Sequence, residues 1–329
     1  MGKIAAGVGL MEFPFKTAND YWRWVDVCEH SGLDSIWQTD RLVSNASMLE
    51  CMSAMAALAG ATRRIKFGMN VLSLGVRDPL VVAKECATID YLSDGRLLPA
   101  FGVGSPRSPD WAASGRSYKG SGKRVDEAMD IMRRLWTGEK LDYDGEYFQL
   151  RGAKIAPLPL QKRFPCWYGG ASKSAVKRTA KYATGWLGGP ETPDEAGAVV
   201  AAVKSACEAM GNHIDEDHYG AGFFYRFGSK SEACVEERVR MTRERLPDAD
   251  PWRTLVVGDT EAVATRVRDY VRNGVTKFVL RPVGTDADDI IEQTRLLAEN
   301  LLPEVSAMNA DGLFEASLAQ LNENKHATQ

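Results

Sequence analysis

This chain of 329 residues has little of what marks a membrane protein, a nucleic-acid binder or a metalloprotein. No apolar run reaches the length of a membrane span. Basic residues are not in excess: 41 Lys and Arg stand against 44 Asp and Glu. With a pI near 5.9 there is no positive field for a phosphate backbone. The charges are mixed along the chain, so acidic polymers are not indicated as partners either. Histidine is scarce, and His30, His213, His218 and His326 are scattered, whereas a zinc site needs clustered ligands; no metal is expected. Cys28, Cys51, Cys86, Cys166, Cys207 and Cys234 form no CxxC pair and lie mostly in helical or strand patterns, which reads as buried, reduced thiols. Met1-Gly2-Lys3 leads straight into an apolar strand with no signal-peptide core before it. A cytoplasmic location is therefore expected, and Gly2 is discounted as a lipidation site. Neither an internal repeat nor an interdomain linker is visible.

What the chain does have is organised around Ile65 to Ser105. Ile65, Phe67, Met69 and Val71 alternate with Lys66, Gly68 and Asn70, the period of a strand. Asp78-Pro79 then reads as an N-cap followed by proline in the first helical turn. Leu80, Ala83, Ala87 and Leu92 fall at helical spacing, Gly95 stops the helix, and Leu97 to Val103 is a second apolar run. Two strands joined by a helix of this length pair in parallel through a right-handed crossover. Ligands gather beyond the C-terminal ends of such strands, here near Asn70–Leu72 and Gly104–Ser105.

The same alternation runs through the chain. Strands are expected at residues 3–10, 35–38, 65–72, 97–103, 166–169, 185–187, 218–226 and 277–281. Helices are expected between them, the first capped by Asn19 or Asp20, the second over 46–59 and another opened by Thr192-Pro193. Asp144-Gly145 marks a hairpin after the helix that begins at Ser121, and an extra helical segment follows the seventh strand. Eight strands alternating with eight helices specify a (β/α)8 TIM barrel, an α/β fold, over 1–310 as one domain, with 311–329 as a frayed polar tail.

Several strand ends carry residues suited to chemistry. Tyr168-Gly169-Gly170-Ala171-Ser172-Lys173-Ser174 passes from a strand into a helix. Glycines there let backbone approach an anion, and the helix start offers free N–H groups with Ser172 and Ser174 hydroxyls beside them. This is a phosphate site or a tight turn capped by serine. Asp40-Arg41 ends the second strand, and Arg41 suits either an anion or an ion pair with Asp40. Gly104-Ser105-Pro106-Arg107 follows the fourth strand; Ser105 and Arg107 line the mouth, or Arg107 is a solvated loop arginine. Trp37, Trp111 and Tyr168 can wall an apolar ligand, although core is the better reading for Trp37. Arg226 and Arg281 end the seventh and eighth strands, where charge reads as part of a site.

NVLSLGVRDPLVVAKECATIDYLSDGRL, the strand ending GVG, and then WAASG, RRLWTGE, YDGEYFQL, PLPLQKRFPCWYGGAS and ATGWLGG occur in one order. Together they resemble the bacterial-luciferase-like family of flavin- and F420-dependent oxidoreductases, from about Ile4 to Pro303. The resemblance implies that the 168–174 turn binds the phosphate of FMN or of coenzyme F420. It also implies a non-proline cis peptide at Asn70-Val71 behind the central ring of the cofactor. Many relatives have histidine where this chain has Arg41, and some F420-dependent sugar-phosphate dehydrogenases have a glutamate acid where it has Ser105. Acid–base catalysis by those two groups is therefore not available, and Arg41 and Ser105 stand as the catalytic candidates.

The resemblance thus implies a flavin-dependent monooxygenase using reduced FMN and O2 on a small organic substrate, served by a separate flavin reductase. The first alternative is F420-dependent hydride transfer. A second, from another class, is a non-catalytic flavin-binding barrel. An aldolase or isomerase would want a lysine or a carboxylate–histidine pair at a strand end, and Lys277 and His218 instead begin strands. Relatives commonly form dimers. Met48, Cys51, Met52, Met55 and Leu58 give the second helix a broad apolar face, so a homodimer through the 46–59 region is expected.

Overall fold

The computed structural model describes residues 3–245 and 247–327. Its framework is a ring of parallel strands. Ala5–Leu10 pairs with Ser35–Gln38, which pairs with the third strand, Lys66–Met69 continued as Leu72–Ser73. That strand pairs with the fourth, Leu97–Leu98 continued as Ala100–Gly102. Trp167–Gly169, Gly185–Leu187 and Tyr219–Ala221 follow. Lys277–Pro282 takes the eighth place and pairs back with the first strand, Ala5 opposite Lys277 and Val8 opposite Leu280. Each strand neighbours the next in sequence because the helix between them returns the chain in the same direction.

The strands read as near-continuous apolar runs because both faces are covered. Ile36, Phe67, Phe278 and Leu280 face the helices and join the main core. Trp37, Ala100, Trp167, Leu187 and Val279 form a separate cluster that fills the ring from inside. The two tryptophans meet edge to face, with ring centroids 6.4 Å apart. Glycine makes room for them: a Cβ at Gly68 would lie 2.8 Å from the Trp37 ring, and one at Gly185 2.6 Å from the Trp167 ring. Below Trp37, at the N-terminal end of the strands, Lys277 pairs with Asp34. This end of the barrel is closed, so ligands are left the other end.

Five elements differ from the sequence reading. Thr17 caps the first helix, with Asp20 reaching back to the Thr17 N–H in a capping box. The second helix is Cys51–Ala61, not 46–59, and starts at a Glu50 cap. The seventh strand breaks near Gly222 and resumes as Phe224–Phe227. This piece pairs with a strand that the sequence reading does not include, Leu255–Gly258. The polar tail is helical over Leu313–Ala327, anchored by buried Phe314.

The apolar face of the second helix is used within the chain itself. Cys51, Met52, Met55 and Leu58 are at most 3% exposed, so that face gives no argument for a second subunit. Between the fourth and fifth strands, Ser121–Trp136 is followed by an antiparallel pair, Leu141–Asp144 with Gln149–Ala153. After the seventh strand comes the helix Ala233–Arg245. No helix among the described residues is long and apolar enough to cross a membrane.

Candidate functional site

A cavity of about 1020 Å³ opens at the C-terminal end of the strands. That position is the one the barrel leaves for loops and ligands. Its floor includes Asn70, Val71, Gly102 and Gly169. The Asn70-Val71 peptide is cis, and it separates the two halves of the third strand. Val71 projects between neighbouring strands. A Cβ on Gly102 would lie 2.8 Å from the Val71 side chain, and one on Gly169 3.0 Å from it. Glycine at both positions lets Val71 fill the centre of the floor.

The 168–174 turn forms one wall. Ser172 caps the helix Lys173–Tyr182, its Oγ accepting from the Ala175 N–H at 3.2 Å, and the Ser174 Oγ lies 3.0 Å from it. The N–H groups of Lys173 and Ser174 begin the helix and have no carbonyl four residues back. A second helix start faces the same space. Ser121 and Gly122 line the cavity, and Gly120 caps their helix without a side-chain bond. Arg178 stands between the two, packed over Gly122 and held by Asp126 at 2.8 Å. The Tyr168 hydroxyl is buried here beside the Arg178 guanidinium, and burial pushes its pKa up to about 12. Two helix starts, a guanidinium and two serines suit a phosphate. Ala171 is exposed and does not line the cavity, so it drops out of the candidate set.

At the end of the second strand the sequence reading needs correcting. Asp40 does not pair with Arg41, nor does it line the cavity. Its carboxylate is fully buried and takes Arg77 at 2.6 Å and the Ser73 N–H at 2.9 Å. Burial pushes the Asp40 carboxyl up, opposed by the charge of Arg77 and by these bonds. Arg77 also reaches Glu50 at 3.0 Å. Asp40 therefore positions Ser73, three residues past Asn70, rather than touching a ligand. Arg41 donates to the carbonyl of Asp40 at 3.0 Å and lines the cavity with no ion pair among the described residues. Arg77 went unrecognised in the sequence because nothing local links position 77 to position 40.

Gly104, Ser105 and Arg107 all line the mouth, Ser105 and Arg107 being exposed. Trp111 is buried behind them. Its indole N–H holds the Ser105 carbonyl at 2.8 Å, and its ring packs beneath Gly75 and Gly104. It supports the loop and does not contact the cavity. Trp37 also leaves the substrate set, since it plugs the barrel from below and bonds Ser35 at 2.8 Å. Arg226 leaves it too: Glu232 and Asp289, each at 2.6 Å, hold it outside the cavity. Arg281 remains, at the cavity wall with Phe224, Arg238, Met241, Thr242 and Thr254. Glu191 and Glu244 are the carboxylates of the lining.

Comparison with known proteins places this geometry. An F420-dependent glucose-6-phosphate dehydrogenase of Amycolatopsis mediterranei is 26% identical over 312 residues, covering 85% of this chain and 92% of that protein. Among solved structures, an F420-dependent secondary alcohol dehydrogenase in complex with an F420–acetone adduct superposes with a TM-score of 0.80 at 18% identity, over 92% of this chain and 99% of the other. The oxygenating constituent of 3,6-diketocamphane monooxygenase from Pseudomonas putida, solved with FMN, gives 0.74 at 17% identity, over 92% and 98%. At these identities the structural likeness speaks for the fold. Residues 4–247 match the family model described as luciferase-like monooxygenase, whose members include flavin- and F420-dependent enzymes, and the chain belongs to that family.

Proposed function

We propose that this protein is a monooxygenase that uses reduced FMN and O2 to oxygenate a small organic substrate. The observation that carries the reading is the chemistry around Asn70-Val71. After the second, third and fourth strands the cavity lining contributes the polar residues Thr39, Arg41, Asn70, Ser73, Ser105, Arg107 and Ser108, with no histidine or carboxylate among them; its carboxylates, Glu191 and Glu244, come from later in the chain. Hydride transfer with an alcohol needs a base there, whereas oxygen activation draws its reactivity from the flavin.

The lining fits such a cofactor. Ser172, Ser174, Arg178 and the two helix starts would hold the phosphate, and Val71 with Gly102 and Gly169 would back the ring. When bound, reduced FMN supplies the electrons that activate O2. The protein's own part is positional. Arg41 brings a permanent charge suited to the anionic reduced ring. Asp40 holds the Ser73 N–H, and Trp111 holds Ser105, so the residues around the floor are fixed before a ligand arrives. A separate flavin reductase as electron donor and a homodimeric assembly belong to the same reading.

F420-dependent hydride transfer is the second reading, supported by the near full-length likeness to the Amycolatopsis dehydrogenase. Titration of the pure protein with reduced FMN, oxidised FMN and F420, followed by fluorescence, separates the two. Reduced FMN is expected to bind tightest, and its oxidation by O2 is expected to respond to candidate substrates. Tighter binding of F420 would overturn the monooxygenase reading. Bound flavin with no turnover would point to a non-catalytic flavin-binding barrel.

A further inference from the structure

Arg281 is the most unusual charge in the cavity. Its strand alternates in direction: Val279 points into the barrel, Phe278 and Leu280 point to the helices, and Arg281 therefore ends the inward row. It is 6% exposed. Its guanidinium makes no hydrogen bond and no ion pair among the described residues; the Phe224 ring, 5.6 Å away, is its contact. Burial lowers its pKa to about 10. A buried cation without a partner is costly, and this one stands at the wall of a ligand-sized space.

Its neighbours say what kind of anion would complete it. Arg238 lies over the same ring at 4.7 Å, but Glu12, at 2.8 Å, already neutralises it. Glu191 and Glu244 line the same cavity, the first bound to the Gly189 N–H and the second to Arg240. Glu191 acts on Arg281 through space without forming an ion pair with it, and one buried cation beside two carboxylates suits a single negative charge and disfavours two. The planar fork of arginine matches a carboxylate. Phe224 and Met241 offer apolar surface, and Thr242 and Thr254 lie in the same lining. The phosphate cradle belongs to the fifth strand, three places round the ring from the eighth, so it does not compete for Arg281.

We infer that the substrate of this enzyme is a monoanionic carboxylic acid with an apolar body, its carboxylate held by Arg281 and its body against Phe224. This deepens the oxygenase reading and rests on it for the reaction, though not for the binding. The probes are benzoate, its neutral isostere benzamide and the dianion phenyl phosphate, titrated calorimetrically into the wild type, Arg281→Met and Arg281→Lys. The wild type should prefer benzoate to both other probes. Arg281→Met should lose about ten- to a hundredfold in benzoate affinity, and Arg281→Lys should fall between. FMN and riboflavin are titrated alongside. If Arg281→Met weakens FMN but not riboflavin, Arg281 holds the cofactor phosphate and the inference is wrong. It is equally wrong if the wild type prefers phenyl phosphate, binds no benzoate, or does not discriminate benzoate from benzamide. Should Arg281→Met fail to fold, the lysine variant and the benzoate–benzamide ratio decide. Arginine-dependent benzoate binding in a protein that takes neither FMN nor F420 would leave this inference standing and remove the proposed function.

Discussion

Two adjacent residues, Asp40 and Arg41, make opposite demands on the structure, and substituting each in turn tests the site directly. Asp40 is fully buried and bonds Arg77 and the Ser73 N–H. Asp40→Ala deletes both bonds and strands the half-neutralised Arg77, whose side chain is only 13% exposed and retains Glu50 alone. Breaking a buried pair from one side costs about 3–5 kcal/mol. At roughly 2 °C per kcal/mol for a chain of this size, the melting temperature should fall by about 6–10 °C. Arg41→Ala deletes one bond to a neighbouring carbonyl, made by a partly exposed side chain. That should cost under about 0.5 kcal/mol, a shift near 1 °C.

Function should divide the other way. Arg41→Ala should lower turnover strongly with the fold intact, and Arg41→Lys should recover part of it, since it keeps the charge and loses the fork. Asp40→Ala should weaken the cofactor in proportion to the loosening of Ser73. Differential scanning fluorimetry of both single variants, Arg77→Met and the Asp40→Ala/Arg77→Met double variant gives the stability half of the test. The double variant should lose less than the sum of the singles, because removing both partners leaves no orphaned charge. Equal destabilisation by Arg41→Ala and Asp40→Ala would refute this division. So would strict additivity of Asp40 and Arg77.

Three further outcomes follow from the same geometry. Ser174→Asp places a carboxylate beside two free helix N–H groups and should weaken FMN far more than riboflavin; equal losses, read by fluorescence quenching, would remove the phosphate from this turn. Glu29 accepts the N–H groups of Arg63, Arg64 and Ile65 at 2.8–2.9 Å; burial raises its pKa, but these bonds outweigh that and hold it below 4.5. Its contribution should therefore be whole above about pH 4.5 and be lost as pH falls below, so Glu29→Gln should differ from wild type in urea midpoint at pH 7 and converge with it in acid. Val81, Tyr91 and Leu92 are at least 50% exposed on the helix Pro79–Leu92; if this face joins two copies, light scattering should give twice the 36.1 kDa chain mass and Leu92→Glu should halve it.

The barrel was legible in the sequence because its strands and helices differ in period and recur in strict alternation. Where a local rule dominates, the reading reached single residues: Asp78 caps a helix with Pro79 following, and Thr192 forms a capping box with Glu195. It failed where a distant contact decides. Cys51, Met52, Met55 and Leu58 read as a surplus apolar face, yet a barrel helix between two neighbours and a sheet buries more than one stripe. The strand Leu255–Gly258 is absent from the sequence reading because its partner, Phe224–Phe227, lies some thirty residues away along the chain.

The site divides along the same line. The turn from Tyr168 to Ser174 is contiguous, so its glycines and serines announce themselves, whereas Ser121, Gly122 and Arg178, which complete it, come from other places in the chain. Arginines were the hardest to sort, because the residue type says nothing about whether its charge is already spent. Arg226, Arg238 and Arg281 all stand near the same strand ends. Arg226 is held by two carboxylates and Arg238 by one, while Arg281 has no ion pair among the described residues. Sequence pattern places a charge at a rim; only the inventory of its partners shows whether it is structure or an unfilled half of a binding interaction. By that inventory Arg41 and Arg281 are the lining arginines, half-buried and buried, that have no ion pair among the described residues, and the strands they follow or end, the second and the eighth, flank the first, across the ring from the fifth strand and its serine-capped turn.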